Sequence, residues 1–240
     1  LKYAQNNKFT LYLFSLVFFF LSLLEKEIAI TLPLIVLFMD YFFLSKQKTK
    51  GVIKNFSRLH LGFFIILGLY LLMRFYAIGW SFLLENKRYV SNFLPGKGHY
   101  WKLFTVIKIL TFYIRLLFFP YGLKLDYFFP AANSLFEPVV FLGALILFAL
   151  AFLVLKNVKH YPIVPFSILW FFITILPVSN ILSQGNIFAE RYLYIPSVGF
   201  CMGIGFLFPW LTKKDIRTNL LHWKKSIFLV FFLLIIALGR

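Results

Sequence analysis

Two groups of ionisable residues lie beside long apolar stretches, where charge is costly and usually serves a function. The first is the adjacent pair Glu190 and Arg191, which precedes an apolar run. The planar guanidinium of Arg191 is suited to binding a phosphate or a carboxylate. Glu190 could orient that guanidinium or contact a sugar hydroxyl. The alternative is an ion pair between the two side chains that only anchors a helix end.

The second group is Glu25-Lys26-Glu27, which separates two apolar runs. Its charges could contribute to an anion-binding or sugar-binding site, and the alternative is a solvated turn. Asp126, in the loop sequence Leu125-Asp126-Tyr127, is a further candidate. A carboxylate at such a position can also cap a loop without any chemical role.

Four polar residues recur at spacings of three and four within residues 101–119, which indicates one polar stripe along a helix. They are Thr105, Lys108, Thr111 and Arg115. We expect an amphipathic helix in the outer membrane interface, with Lys108 and Arg115 facing lipid headgroups or a lipid-linked phosphate. The alternative is a membrane span with a polar groove face.

Composition excludes an ordinary soluble domain. The 240 residues are 61% hydrophobic and 14% charged, against about 25% charged in soluble proteins. The net charge of +17 would suit a nucleic-acid-binding protein, but the basic residues lie between apolar runs, as the positive-inside rule expects. We therefore expect contacts with membrane lipids and no nucleic-acid partner.

The sequence offers no metal or cofactor site. There is one cysteine, Cys201, and the four histidines are isolated from one another. No phosphate-binding glycine loop or dinucleotide-binding motif is present. We expect neither a metal nor a cofactor.

The apolar runs predict an all-α polytopic integral membrane protein with seven transmembrane helices and one amphipathic helix, because lipid admits only helices or closed barrels. One transmembrane domain covers residues 1–240: a hairpin at 9–44, a span at 61–80, an extracytoplasmic loop at 81–137 and four spans within 138–238. The seven expected spans are 9–24, 28–44, 61–80, 138–155, 163–182, 193–210 and 227–238.

Orientation follows from the basic loops 46–58, 156–160 and 212–225, which we place in the cytoplasm. The charged turn at Glu25–Glu27 and the loops 81–100 and 183–192 then share the opposite face. The unusual polar residues are thus expected to gather on one side of the membrane.

Three stretches resemble the membrane domain of the GT-C-type, tetratricopeptide-repeat-containing protein O-mannosyltransferases and their bacterial homologues. The most specific runs from Leu176-Pro177-Val178-Ser179-Asn180 into Ala189-Glu190-Arg191-Tyr192-Leu193-Tyr194-Ile195-Pro196. The second is Lys26-Glu27 with Thr31-Leu32-Pro33 and Asp40-Tyr41, where Glu25 replaces the family's usual serine. The third is Arg115-Leu116-Leu117-Phe118-Phe119-Pro120 with Gly122-Leu123-Lys124-Leu125-Asp126-Tyr127.

The resemblance implies a partial GT-C-like fold. The parent enzyme would transfer a sugar, with mannose the expected one, from a polyprenyl-phosphate carrier to a protein or glycan acceptor on the extracytoplasmic face. The mechanism would be inverting and metal-independent, with Arg191 neutralising the leaving phosphate. The family's catalytic carboxylate lies in the first extracytoplasmic loop, so we expect it upstream of Leu1 and name no catalytic base. The 240 residues are expected to be a fragment that is inactive alone, with the repeats following Arg240.

The resemblance also favours the bacterial inner membrane as location, or the endoplasmic reticulum membrane for a eukaryotic protein. Two other functional classes remain open from the residues alone. One is a membrane transporter or lipid flippase, which also needs charges and broken helices within the bilayer. The other is a lipid-binding membrane subunit without catalytic activity.

Overall fold

The computed structural model describes residues 9–44, 60–79, 99–124, 127, 130–132, 134–179 and 188–212. Every regular element within these ranges is helical, which confirms the all-α prediction for this part of the chain. The α-helices are α1 (Phe9–Glu25), α2 (Leu32–Met39), α3 (Leu61–Ile78), α4 (His99–Phe118), α5 (Pro138–Asn157), α6 (Ile163–Ile175) and α7 (Pro196–Thr212). Single helical turns occupy Glu27–Thr31, Asp40–Leu44, Leu176–Val178 and Glu190–Leu193.

Among the described residues, α5 is the one helix both long and apolar enough to cross a membrane. The other apolar helical segments have 10–17 residues, fewer than the ~20 that a bilayer usually requires. They are Phe9–Glu25, Leu61–Ala77, Ile163–Val178 and Pro196–Leu207. The predicted count of seven spans is therefore not supported, and run 227–238 lies outside the described residues.

Prolines explain where the helices are shorter than the apolar runs. Proline lacks an N–H donor and its ring clashes with the preceding turn. In the expected span 28–44, Pro33 lies at the start of α2, after the separate turn Glu27–Thr31. In the run 163–182, α6 ends at Ile175 and a short turn containing Pro177 follows. Pro196 begins α7, three residues after the expected start of its span.

The charged turn between α1 and α2 is as tight as the sequence predicts. Lys26 alone is extended, with φ −146° and ψ 130°, between α1 and the turn Glu27–Thr31. The helices on either side pack against different partners: α1 packs on α3, and α2 packs on α6. The α1–α3 contact is built from Phe19, Leu23, Phe63 and Tyr70, all buried.

Helix α4 is part of the helical core, with Ile109 and Tyr113 fully buried. These two side chains pack with Phe171 and Ile175 of α6. Helices α4, α5, α6 and α7 therefore form one packed group, and α6 contacts both α5 and α7.

Three of the four residues in the polar stripe of α4 contact other parts of the chain, and the fourth, Arg115, is exposed. Thr105 is fully buried and its hydroxyl oxygen accepts the backbone N–H of Ala132 at 3.1 Å. Lys108 Nζ lies 3.1 Å from Glu137 Oε2, just before α5. Lys108, expected to face lipid headgroups or a lipid-linked phosphate, thus has a carboxylate partner within the chain.

Residues later in α4 contact residues later in α5, so the two helices run in the same direction. Lys108 meets Glu137, while Thr111 lies against Gly143 one turn later. Further along, Ile114 and the end of α4 share a groove with the end of α5. After α4, two described residues, Lys124 and Tyr127, contact Glu190 in the segment before α7.

Candidate functional site

An aromatic clamp holds the segment that leads into Glu190. The ring of Phe188 stacks on Tyr113 of α4 with 4.5 Å between centroids. The Phe188 ring also meets the ring of Tyr127 edge-to-face, with 4.8 Å between centroids. Tyr127 lies in the connection between α4 and α5. Tyr113 also pairs with the backbone of Ala189, since its hydroxyl lies 3.3 Å from both the N–H and the carbonyl oxygen. Two elements distant in sequence thus fix the residue before Glu190.

Glu190 engages the connection 119–137 instead of its neighbour Arg191. Its Oε1 accepts the backbone N–H of Lys124 at 2.8 Å and also accepts the Tyr127 hydroxyl. The described residues contain no ion pair between Glu190 and Arg191. Neither the expected orientation of Arg191 by Glu190 nor the anchoring ion pair is therefore formed, and Glu190 serves to tie two loops together.

The hydrogen bond to Glu190 affects the titration of Tyr127. Burial raises the pKa of the Tyr127 hydroxyl, and donation to the Glu190 carboxylate raises it further. Both effects favour the neutral phenol, which keeps its proton available to the carboxylate. The Glu190–Tyr127 link is therefore intact at neutral pH.

A cavity of about 590 Å³ lies beside this segment. Its walls come from residues 25–28 at the charged turn, 177–178 after α6, and 191–195 before α7. The structure thus brings Glu25, Lys26, Glu27 and Arg191, which were expected on one face of the membrane, to one cavity. The volume falls within the ~300–1,000 Å³ of typical small-molecule sites.

The charge balance of this cavity favours an anion. Glu27 forms an ion pair with Arg74 of α3, whose guanidinium also donates to the Tyr70 hydroxyl at 2.6 Å. With Glu27 neutralised in this way, the remaining ionisable groups on the wall are two cations, Lys26 and Arg191, and one carboxylate, Glu25. An anionic ligand would meet a net positive surface here.

Arg191 is the cation best placed to bind a ligand in this cavity. Its side chain is exposed, and its guanidinium lies 5.4 Å from the ring centre of Tyr192. A cation against an aromatic face keeps its hydrogen-bond donors at the edge available. Arg191 can therefore present a planar pair of donors to a phosphate while Tyr192 holds its position.

The remaining predicted residues are dispersed. Arg115 is exposed, lies 6.0 Å from the ring centre of Phe112, and lines neither this cavity nor the apolar groove described below. Asp126 lies outside the described residues. In the described segments no group of three potential metal ligands occurs.

Sequence reasoning missed Arg74, Tyr113 and Tyr127 as parts of this site. Arg74 carried a usable signal, because a single arginine inside an apolar helix seeks an anionic partner. The two tyrosines carried none, since tyrosines are common at membrane boundaries whatever they contact.

Comparison with known protein families, with curated proteins and with solved structures gives no match to this chain.

Proposed function

We propose that the chain is part of a polytopic membrane glycosyltransferase of the GT-C type. It transfers a sugar, with mannose the expected one, from a polyprenyl-phosphate carrier to a protein or glycan acceptor on the extracytoplasmic face. The observation that carries the proposal is the shared cavity of Lys26 and Arg191. Two of the three stretches that resemble this family, 165 positions apart in the chain, meet there.

The third stretch supports the same reading. Residues 122–127 belong to it, and they hold Glu190 through the Lys124 N–H and the Tyr127 hydroxyl. Two stretches therefore line the cavity, and the third contacts Glu190, the residue before Arg191. Convergence of distant residues on a cavity is typical of a binding site.

In the proposed reaction, the bond between the sugar carbon C1 and the phosphate oxygen breaks while the acceptor hydroxyl oxygen bonds to C1. The hydroxyl proton passes to a carboxylate base, for which no residue of this chain is assigned. The polyprenyl phosphate leaves with the bonding electrons. Arg191 and Lys26 stabilise the charge that develops on the phosphate oxygens, which is the kind of interaction that lowers a barrier most.

Polyprenyl-phosphate binding by the purified chain in detergent tests the role of Arg191. We expect Arg191→Gln to weaken binding by about 10- to 100-fold, as expected for a hydrogen bond to a charged group. Lys159→Gln removes the same charge from the exposed turn after α5 and serves as the matched control. Equal weakening in both variants would show non-specific attraction and contradict the assigned site.

Sugar transfer is tested separately, in membranes that carry the complete gene product containing these residues. Radiolabelled polyprenyl-phosphate mannose is supplied, and we expect the label to enter a protein or glycan fraction. Label that crosses the bilayer still attached to its lipid would identify a transporter. Label that binds but stays on the lipid and on its original side would identify a non-catalytic lipid-binding subunit. Either outcome contradicts the proposed reaction.

A further inference from the structure

A second cavity, which we call the apolar groove, lies between the ends of α4 and α5 and helices α6 and α7. It measures about 650 Å³, and its wall is almost entirely apolar. The polar residues are confined largely to one end, where Lys156, Asn157 and Tyr161 lie at the close of α5. Ser167, the other polar residue of the wall, donates its hydroxyl to the Ile163 carbonyl oxygen at 2.7 Å. The groove is therefore amphiphilic along its length.

The length of the apolar groove matches one membrane leaflet. Its wall on α6 extends from Val164 to Phe172, which is roughly 12 Å at the helical rise of about 1.5 Å per residue. Half of the bilayer hydrocarbon layer is about 15 Å thick. The groove accommodates a chain that enters from one surface and ends near the bilayer centre.

We infer that the apolar groove binds one acyl chain of an anionic glycerophospholipid, whose headgroup phosphate contacts Lys156. This inference depends on α5 crossing the membrane and is independent of sugar transfer. Lys159 and His160 follow Lys156 in the exposed turn, so the polar end carries the basic charge that the positive-inside rule places at the cytoplasmic surface. That surface is rich in anionic lipids. A neutral lipid would not need the lysine.

Two glycines of α7 provide a matched pair of variants. Gly203 lines the groove, and a Cβ there would contact the Cβ of Ser167 at an ordinary 3.6 Å. Gly205 lies outside the groove lining, and a Cβ there would meet nothing within 4 Å. Gly203→Leu therefore fills the groove, while Gly205→Leu adds the same volume elsewhere.

The measurement is native mass spectrometry of the full chain in mild detergent with phosphatidylglycerol or phosphatidylcholine. We expect the original chain and Gly205→Leu to retain one phosphatidylglycerol, and Gly203→Leu to retain none. Should Gly203→Leu fail to fold, Lys156→Gln carries the test. It is expected to weaken phosphatidylglycerol retention about fivefold, the equivalent of ~1 kcal/mol for one lysine at an anionic surface. Lys159→Gln is the charge-matched control and is expected to weaken retention less.

Three results would overturn the inference. Retention of phosphatidylcholine equal to that of phosphatidylglycerol would remove the role of the headgroup. Equal losses in Lys156→Gln and Lys159→Gln would show diffuse attraction to a basic surface. Lipid retention that none of the four variants changes would mean that another occupant, such as the chain's own apolar run 227–238, fills the groove.

Discussion

The two cavities of this protein have similar volumes and opposite chemistry. The one between Lys26 and Arg191, the polar cavity, is bounded by loops and helical turns and has charges on its wall. The apolar groove is bounded by helix surfaces and has its charge at one end. Volume alone would not distinguish them. The difference shows that loops and turns from distant parts of the chain supply the charged side chains of the polar cavity, while packed helices form the apolar groove.

The largest expected effect comes from removing the clamp of the polar cavity. Phe188 is 4% exposed and lies between Tyr113 and Tyr127. Phe188→Ala should lower the free energy of unfolding by about 3–5 kcal/mol, because a buried aromatic ring leaves a void. Polyprenyl-phosphate binding should be lost while phosphatidylglycerol retention persists.

Thermal unfolding in detergent and both lipid assays check this prediction. Phe188→Leu keeps much of the apolar volume and should show the same pattern with a smaller loss. Equal loss of both ligands in the leucine variant would contradict the separation of the two cavities.

A smaller effect is expected where Gly199, which lines the apolar groove, packs against α6. A Cβ on Gly199 would lie 2.6 Å from the Ser167 carbonyl oxygen and 3.1 Å from the Phe171 nitrogen. Gly199→Ala should therefore push α6 and α7 apart, at a cost of about 1–3 kcal/mol in unfolding free energy. Gly205→Ala, which meets open space, is the control in the same unfolding measurement. No difference between the two variants would disprove the close helix contact.

The net charge of the polar cavity can be changed by substituting a residue that does not line it. Arg74→Met keeps much of the apolar stem but removes the charge that neutralises Glu27. Phosphate affinity should fall by up to about fivefold, since a half-exposed ion pair contributes roughly 0.2–1 kcal/mol. Titration of polyprenyl phosphate measures the change, and adding Glu27→Gln should reverse it. If the double variant binds no better than Arg74→Met, the charge argument fails.

The smallest effect concerns Tyr127. Glu190→Gln should lower the pKa of Tyr127, because the hydrogen bond to the carboxylate adds to the rise that burial causes. Ultraviolet titration measures this pKa, with the Tyr127→Phe variant subtracted to isolate the signal.

The raised pKa also has a consequence for stability. Since the folded state holds the phenol proton more tightly than the unfolded state, the unfolding free energy falls as the pH rises above about 10. This contribution is complete below that pH and should be absent from Tyr127→Phe. An unchanged alkaline decline in the phenylalanine variant would contradict the hydrogen bond.

Helix positions were predictable where an apolar run is long enough to span a membrane and a proline lies at its start. The run 138–155 became α5, which begins at Pro138 and ends two residues later than expected. The run 28–44 looked equally continuous, yet Pro33 and the turns on either side divide it. Hydropathy measures which residues avoid water, and it does not measure whether the backbone hydrogen bonds continue.

The sequence identified the charged residues of the site but not the residues that they contact. Lys26 and Arg191 were expected on the same face of the membrane, and they line one cavity. Glu190 was expected to orient Arg191 or contact a sugar hydroxyl, with an ion pair as the alternative, but its partners are Lys124 and Tyr127, more than 60 positions earlier. The stripe on α4 was likewise assigned to lipid, because periodicity reveals a polar face without revealing what covers it.

The walls of the polar cavity also set the order in which the site can form during synthesis. Lys26 leaves the ribosome 165 residues before Arg191, a delay of roughly 10–30 s at about 5–20 residues per second. During that interval the charged turn has no opposite wall, although Arg74 is already available to pair with Glu27. A newly made chain would therefore acquire its helices well before it acquires a place for a phosphate.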